Sequence, residues 1–204
     1  TGAGSPEKYM ADWKAAGVKV IPVVASTALA RRMERCGADA VVAEGTEAGG
    51  HIGEITTMTL VPQVADAVEI PVIAAGGIYS GDDIRKIMEL GADGVQMGTR
   101  FVTTEECDAS DVFKQTYLNA HEEDIQIIKS PVGMPGRAIF SNFIQKIKEG
   151  KKQPKVCPFN CIKTCDINKS PYCIITALYN AFRGNMENGY AFAGANAFKA
   201  TKIM

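Results

Sequence analysis

Two histidines occur among the 204 residues, and their surroundings differ in kind. His51 lies in Gly49-Gly50-His51-Ile52-Gly53-Glu54, just after an apolar run that ends near Glu44. The glycines let the backbone come close to a planar ligand, and an imidazole that titrates near neutrality can act as acid, base or hydrogen-bond donor. His121, in Leu118-Asn119-Ala120-His121-Glu122-Glu123, falls on a polar helix face and reads as a solvated group. Two further apolar runs end in glycine: Ala74-Ala75-Gly76-Gly77-Ile78 and Gln96-Met97-Gly98-Thr99-Arg100-Phe101. Backbone N–H groups at such strand ends can hold a phosphate, and Thr99 adds a hydroxyl donor. One glycine pair is equally explained by tight strand-to-helix packing. Two in succession, the second with a Gly-Thr, point to one phosphate site at Gly76-Gly77 and Gly98-Thr99.

The six cysteines are unevenly spread: Cys36 and Cys107 stand alone, whereas Cys157, Cys161, Cys165 and Cys173 fall within 17 residues. Four thiolates so close together could bind Zn²⁺ or an iron–sulfur cluster. Their gaps of three, three and seven residues match neither the usual zinc spacings nor a ferredoxin run. Reduced cysteines packed in a cap account for the pattern equally well.

These groups need strands and helices to carry them. Strand-like runs at Val18–Val24, Ala40–Ala43, Pro71–Ala75 and Gly94–Met97 alternate with helix-length segments at Pro6–Ala16, Ser26–Cys36, Thr57–Val68 and Gly81–Leu90. Such alternation predicts βα units around a parallel sheet, and strands without polar alternation predict cover on both faces. A repeat supports this. Ile21-Pro22-Val23-Val24 precedes Gly37-Ala38-Asp39-Ala40-Val41 just as Ile70-Pro71-Val72-Ile73 precedes Gly91-Ala92-Asp93-Gly94-Val95. In each copy the Gly is expected to end a helix in a left-handed turn and the Asp to hydrogen-bond locally.

Repeated quarter-units favour a closed barrel, and four strands are half of the eight that a (β/α)₈ TIM barrel needs. The expected fold is therefore α/β: the C-terminal half of such a barrel over residues 1–105, a helical continuation over 106–150 and a Cys-rich appendage over 151–204. The missing half is expected upstream or from another chain. Within the continuation, Asp108–Glu123 reads as a helix, Ile125–Gly136 as an extended connection and Arg137–Lys148 as a helix, and 149–155 as a solvated linker. The aromatics of Asn188–Lys199 read as core, in a covering loop or a docking strand.

Composition narrows the function. With 46% hydrophobic and 22% charged residues the chain can bury a large core, and a net charge of -1 offers no field for a nucleic-acid backbone. No run of about 18 apolar residues appears, and the first residues lack the regions of a secretory signal, so a cytoplasmic protein without membrane contact is expected. Small-molecule chemistry is the remaining class.

Three segments carry a resemblance: Ala43-Glu44-Gly45-Thr46-Glu47-Ala48-Gly49-Gly50-His51-Ile52-Gly53-Glu54, Pro71-Val72-Ile73-Ala74-Ala75-Gly76-Gly77-Ile78 and Gln96-Met97-Gly98-Thr99-Arg100-Phe101. In this order they resemble the nitronate monooxygenase (2-nitropropane dioxygenase) and enoyl-acyl carrier protein reductase II family, over roughly Thr1 to Asn142. The resemblance implies a TIM barrel with non-covalent FMN, its phosphate at Gly77, Gln96, Met97, Gly98 and Thr99, with Glu44 and Gly49 beside the flavin. It implies His51 as the catalytic histidine, with Gly50 next to it. In the reductase branch, hydride from NAD(P)H passes through FMN to an enoyl thioester on an acyl carrier. In the monooxygenase branch, the histidine serves the oxidation of an alkyl nitronate with O₂.

Two departures stand out. The family's first glycine-rich strand is absent, and Pro131-Val132-Gly133-Met134-Pro135-Gly136-Arg137 stands where reductase relatives show His-Pro before an Arg. Glu44 nevertheless leans towards the reductase, because typical monooxygenases carry Gln there. A flavin-binding lobe without turnover is the reading from a different class, and a homodimer is an open expectation.

Overall fold

The computed structural model describes every residue except 3, 152–155, 158, 160 and 162–164. Its elements are α1 (Glu7–Ala15), β1 (Val23–Val24), α2 (Thr27–Arg35), β2 (Val41–Glu44), β3 (Gly50–His51), α3 (Thr57–Ala65), β4 (Val72–Ala75), α4 (Gly81–Glu89), β5 (Gly94–Gln96), α5 (Thr99–Val102), α6 (Asp111–Leu118), β6 (Ile125–Lys129), β7 (Pro135–Ile139), α7 (Asn142–Lys148) and α8 (Ile174–Phe182). They gather into two compact units, Thr1–Ala48 with Ile52–Gly98 and Gly49–His51 with Thr99–Met204. The division thus falls between Gly98 and Thr99, and residues 106–150 and 151–204 share one unit.

The first unit is an α/β layer on a four-stranded sheet in the order β1-β2-β4-β5, every neighbouring pair parallel. The strands are shorter than their apolar runs because only part of each run meets a partner: Val18–Val24 contributes only Val23 and Val24. Val41, Ala43, Val72 and Ala74 are buried beneath Met33 of α2, Leu60, Val61 and Val64 of α3 and Ile87 of α4. Each such aliphatic side chain contributes roughly 1.5–3 kcal/mol by leaving water. Serine starts two of the helices. Ser26 accepts the Leu29 N–H, and Ser80 forms a reciprocal box with Asp83.

The repeated Gly-Ala-Asp turn works differently from the expected local bond. Gly37 and Gly91 are left-handed, with φ of 90° and 96°. The aspartates then reach back across the sheet. Asp39 donates its N–H to the Val20 carbonyl (2.9 Å) and accepts the Val20 N–H on its carboxylate (2.8 Å). Asp93 does the same to Val72, at 2.8 Å both ways. Each aspartate therefore fastens a new strand to the previous one. Lys14, then the Val20 N–H and Lys19, hold the Asp39 carboxyl well below the usual carboxylate range.

The second unit is built on a three-stranded antiparallel sheet in the order β3-β7-β6. The extended connection expected at Ile125–Gly136 is instead a hairpin, turning at Gly133 (φ 88°). The helix expected from Arg137 starts only at Asn142, because Pro135–Ile139 is strand β7; Ser141 caps it by accepting the Ile144 N–H. The helix expected over Asp108–Glu123 is confined to Asp111–Leu118, with Ser110 as its cap and a separate 3₁₀ turn at Glu122–Asp124. Tyr190 is fully buried, stacked on Phe143 and edge-on to Tyr172 and Phe192. Tyr117 donates its hydroxyl to the Phe192 carbonyl. Tyr190 and Phe192 of the closing stretch are thus core, tied to β7 by a bridge between Ala138 and Phe192. Among the described residues no helix is long and apolar enough to cross a membrane.

Candidate active site

Parallel register sets the first part of the site. Glu44 pairs with Ala75 and Ala75 with Gln96, so Glu44, the Gly76-Gly77 turn and the Gln96-Met97-Gly98 segment leave the carboxyl edge of one sheet at the same level. Such an edge is where parallel α/β proteins bind ligands, beyond the ends of the strands. Glu44 is half-buried, and burial pushes its carboxyl above the ordinary range.

The glycines divide by what surrounds them. A Cβ at Gly76 (φ 102°) would stand 2.9 Å from Thr57 Oγ1 and 3.0 Å from the Ala48 nitrogen, so this glycine is needed for packing within the unit. Thr57 fixes that corner: its Oγ1 lies 2.9 Å from the Gly76 carbonyl and 2.8 Å from the Glu47 carboxylate, which also accepts the Thr57 N–H. Gly77 is left-handed as well (φ 72°). Gly98 is exposed, with nothing within 4 Å of where a Cβ would be. Its backbone is open to a ligand.

In the second unit, His51 sits on β3, paired with Gly136 of β7. Its Nε2 lies 2.8 Å from Ser130 Oγ, and its ring meets Phe192 edge-on at 5.4 Å. Burial pushes the His51 imidazole below its ordinary value. Gly49 is closed by the chain itself, since a Cβ there would stand 2.7 Å from the Ala193 carbon and the Gly194 nitrogen. Gly50 (φ 100°) has nothing within 4 Å of its Cβ position. Thr99 Oγ1 accepts the Gly194 N–H at 2.9 Å, leaving its own proton to donate. His121 is exposed and lies 3.5 Å from Asp124, as a solvated side chain should.

Ser130, the hydrogen-bond partner of His51, is the residue that the sequence reading missed. It lies 79 positions from His51 and is buried to 3% exposure. The hairpin aligns Lys129 with Pro135 and Ile128 with Gly136, which brings the residue after Lys129 to the neighbour of β3. Alternation in Ile125-Gln126-Ile127-Ile128-Lys129 followed by Gly133 was the signal.

The four clustered cysteines are free thiols, and all four line one cavity of about 140 Å³. Among the described residues, however, no three His, Cys, Asp or Glu side chains are grouped so as to hold a metal ion. The metal set expected from their spacing is not assembled.

The first unit thus offers a parallel α/β sheet with an open glycine at the edge where such sheets bind ligands, and the second a half-buried histidine on a strand paired with a hairpin. The nitronate monooxygenase family model matches residues 1–204, and the chain belongs to that family of oxidoreductases. It is 40% identical over 142 residues to an octahydro-indene-4-carboxyl-CoA dehydrogenase of Rhodococcus jostii, covering 70% of this chain and 40% of that protein. It is 40% identical over 153 residues to a probable nitronate monooxygenase of Staphylococcus aureus, covering 70% of this chain and 43% of the relative. The chain thus spans about two fifths of these curated relatives. The structure of FabK from Thermotoga maritima superposes with a TM-score of 0.84 at 42% identity, over 99% of this chain and 61% of FabK. Nitroalkane oxidase from Streptomyces ansochromogenes superposes with a TM-score of 0.75 at 27% identity, over 98% of this chain and 57% of that one.

Proposed function

We propose that the chain carries the phosphate-holding and proton-handling groups of an FMN-dependent oxidoreductase that reduces an enoyl thioester with NAD(P)H. The observation that carries this reading is the half-buried His51, hydrogen-bonded to Ser130, in a chain whose parallel sheet ends in glycine open to a ligand. The four parallel strands are what half of an eight-stranded barrel supplies.

The residues present fit FMN. Gly77, Gly98 and the Thr99 hydroxyl would hold its phosphate, with the Gln96 and Met97 backbone beside it. Glu44, Gly49 and Gly50 complete the set assigned to the cofactor, although Gly49 and Gly76 already owe their identity to packing. When bound, the flavin supplies two-electron transfer between a nicotinamide and the substrate.

His51 would handle the proton. Burial lowers the ring's affinity for a proton, and the Ser130 hydroxyl engages Nε2, which leaves Nδ1 as the nitrogen not held by Ser130. The similarity to FabK supports the reductase reading. A histidine also suits the second reading, oxidation of an alkyl nitronate, where a base removes the proton next to the nitro group. A third reading, a flavin-binding lobe without turnover, predicts yellow protein inert in both assays. The test uses the full-length protein: NAD(P)H consumption with a crotonyl thioester against O₂ uptake with a nitroalkane. Thioester-dependent NAD(P)H oxidation is expected; O₂ uptake with nitroalkane alone would replace the first reading by the second.

A further inference from the structure

The chain leaves the first unit after Ala48 and rejoins it at Ile52, and the excursion between carries His51. Its root is closed twice. The Thr46 N–H donates to the Ile55 carbonyl at 2.8 Å, and the Glu47 carboxylate accepts both the N–H and the hydroxyl of Thr57, each at 2.8 Å. Bonds at the root of a loop offset the entropy of ordering it before its tip meets anything.

Thr57 belongs to more than this root. It opens α3 and is buried to 4% exposure. Its single hydroxyl proton faces three acceptors: the Glu47 carboxylate, the Gly76 carbonyl at 2.9 Å and the Ala75 carbonyl at 3.3 Å. Both neighbouring turns come close enough to exclude a side chain. A Cβ at Gly45 would stand 2.2 Å from Thr57 Oγ1, and one at Gly76 2.9 Å. Capping of α3 accounts for the bond from the Thr57 N–H to Glu47. It does not require a hydroxyl wedged between the ends of β2 and β4.

We propose that Glu47 and Thr57 are positioning residues that hold the root of the His51 excursion and the Gly76-Gly77 turn in one fixed register. Both act through the backbone they hold, Glu47 at the root and Thr57 at the root and the turn. The proposal rests on the flavin reading for what the turn binds; the clamp itself needs no cofactor. Without the hydroxyl, the Gly76 carbonyl loses a donor and the Glu47 carboxylate keeps only the N–H. Leaving such groups unsatisfied costs free energy, and the turn and the root relieve it by loosening.

The test compares amide hydrogen exchange and FMN titration in the full-length protein, the exchange being measured without flavin. Thr57→Val removes the hydroxyl and keeps the branched shape. It should speed exchange over residues 45–48 and 75–78 at least about tenfold and weaken FMN at least about tenfold, whereas Thr57→Ser should restore both to within about twofold. Met33→Ala, a cavity beneath α2, controls for general loosening and should keep the flavin affinity of its folded fraction. Wild-type exchange over 75–78 in a folded Thr57→Val variant would overturn the proposal. So would equal loss of flavin in Thr57→Val and Thr57→Ser, or in Thr57→Val and Met33→Ala. Should Thr57→Val fail to fold, Glu47→Ala decides in its place, and unchanged exchange over 45–48 would overturn the clamp. Wild-type protein that binds no FMN would remove the proposed cofactor, with the exchange measurements still deciding whether the clamp exists.

Discussion

Replacing Ser130 with alanine isolates the group that positions His51. Ser130 Oγ accepts the Val132 N–H at 3.4 Å and lies 2.8 Å from His51 Nε2, to which it can donate its own proton. A bond donated to the neutral ring favours the neutral form, so it acts in the same direction as burial. Losing one neutral hydrogen bond is worth about 0.5–1.5 kcal/mol, or about 0.4–1.1 pKa units. Ser130→Ala should raise the His51 midpoint by that amount, while burial continues to hold it down. The linkage sign follows. Because the folded value lies below the unfolded one, the stability from the neutral ring is complete above about 6.5 and is lost as pH falls through the folded value. The variant should lose less over that window. With only two histidines in the chain, ¹³C-labelled histidine and NMR titration resolve both, and His121 serves as the unmoved control. Ser130→Thr should restore the midpoint. An unchanged midpoint would refute the coupling, and a fall would mean that Nε2 donates to the serine instead.

The glycines give a paired prediction. Gly98→Ala should leave thermal unfolding unchanged yet weaken FMN at least about tenfold, about 1.4 kcal/mol, by flavin titration, because its Cβ meets only open space. Gly49→Ala should cost about 1–3 kcal/mol in denaturant unfolding, since its Cβ collides with backbone at 2.7 Å. Leu60→Ala, at a fully buried core position, should cost about 2–5 kcal/mol in the same assay. If the reaction begins by proton abstraction, kcat/KM should fall on the acid side through a midpoint below the ordinary histidine value; a profile falling on the alkaline side instead would assign His51 as an acid.

The parallel sheet was legible because its strands are covered on both faces, so continuous runs such as Val72–Ala75 survive as strands. Strand ends were less so. Val18 and Ile21 are apolar but exposed, and β1 pairs with β2 only at Val23 and Val24. The second unit was misread where short alternation met turn residues: Pro135 and Gly136 look like a loop, yet Gly136 pairs with both His51 and Ile128. That one register is what delivers Ser130 to the histidine. His51 itself was legible from its glycines, whereas Ser130 depends on a pairing between segments 79 residues apart. Gly49 and Gly76 looked like ligand contacts for the same reason that Gly98 did, since a sequence does not distinguish a glycine packed on backbone from one facing open space.

The central claim, that His51 handles the proton in a flavin-dependent reaction, is tested most directly by His51→Ala in the full-length protein, with bound flavin and turnover measured on one preparation. The phosphate contacts are assigned to other residues, so the variant should keep its yellow colour and FMN stoichiometry. It should lose about 10²–10⁴ in kcat/KM with the preferred substrate. Wild-type turnover with both the enoyl thioester and the nitroalkane, or wild-type protein that binds no flavin, would contradict it.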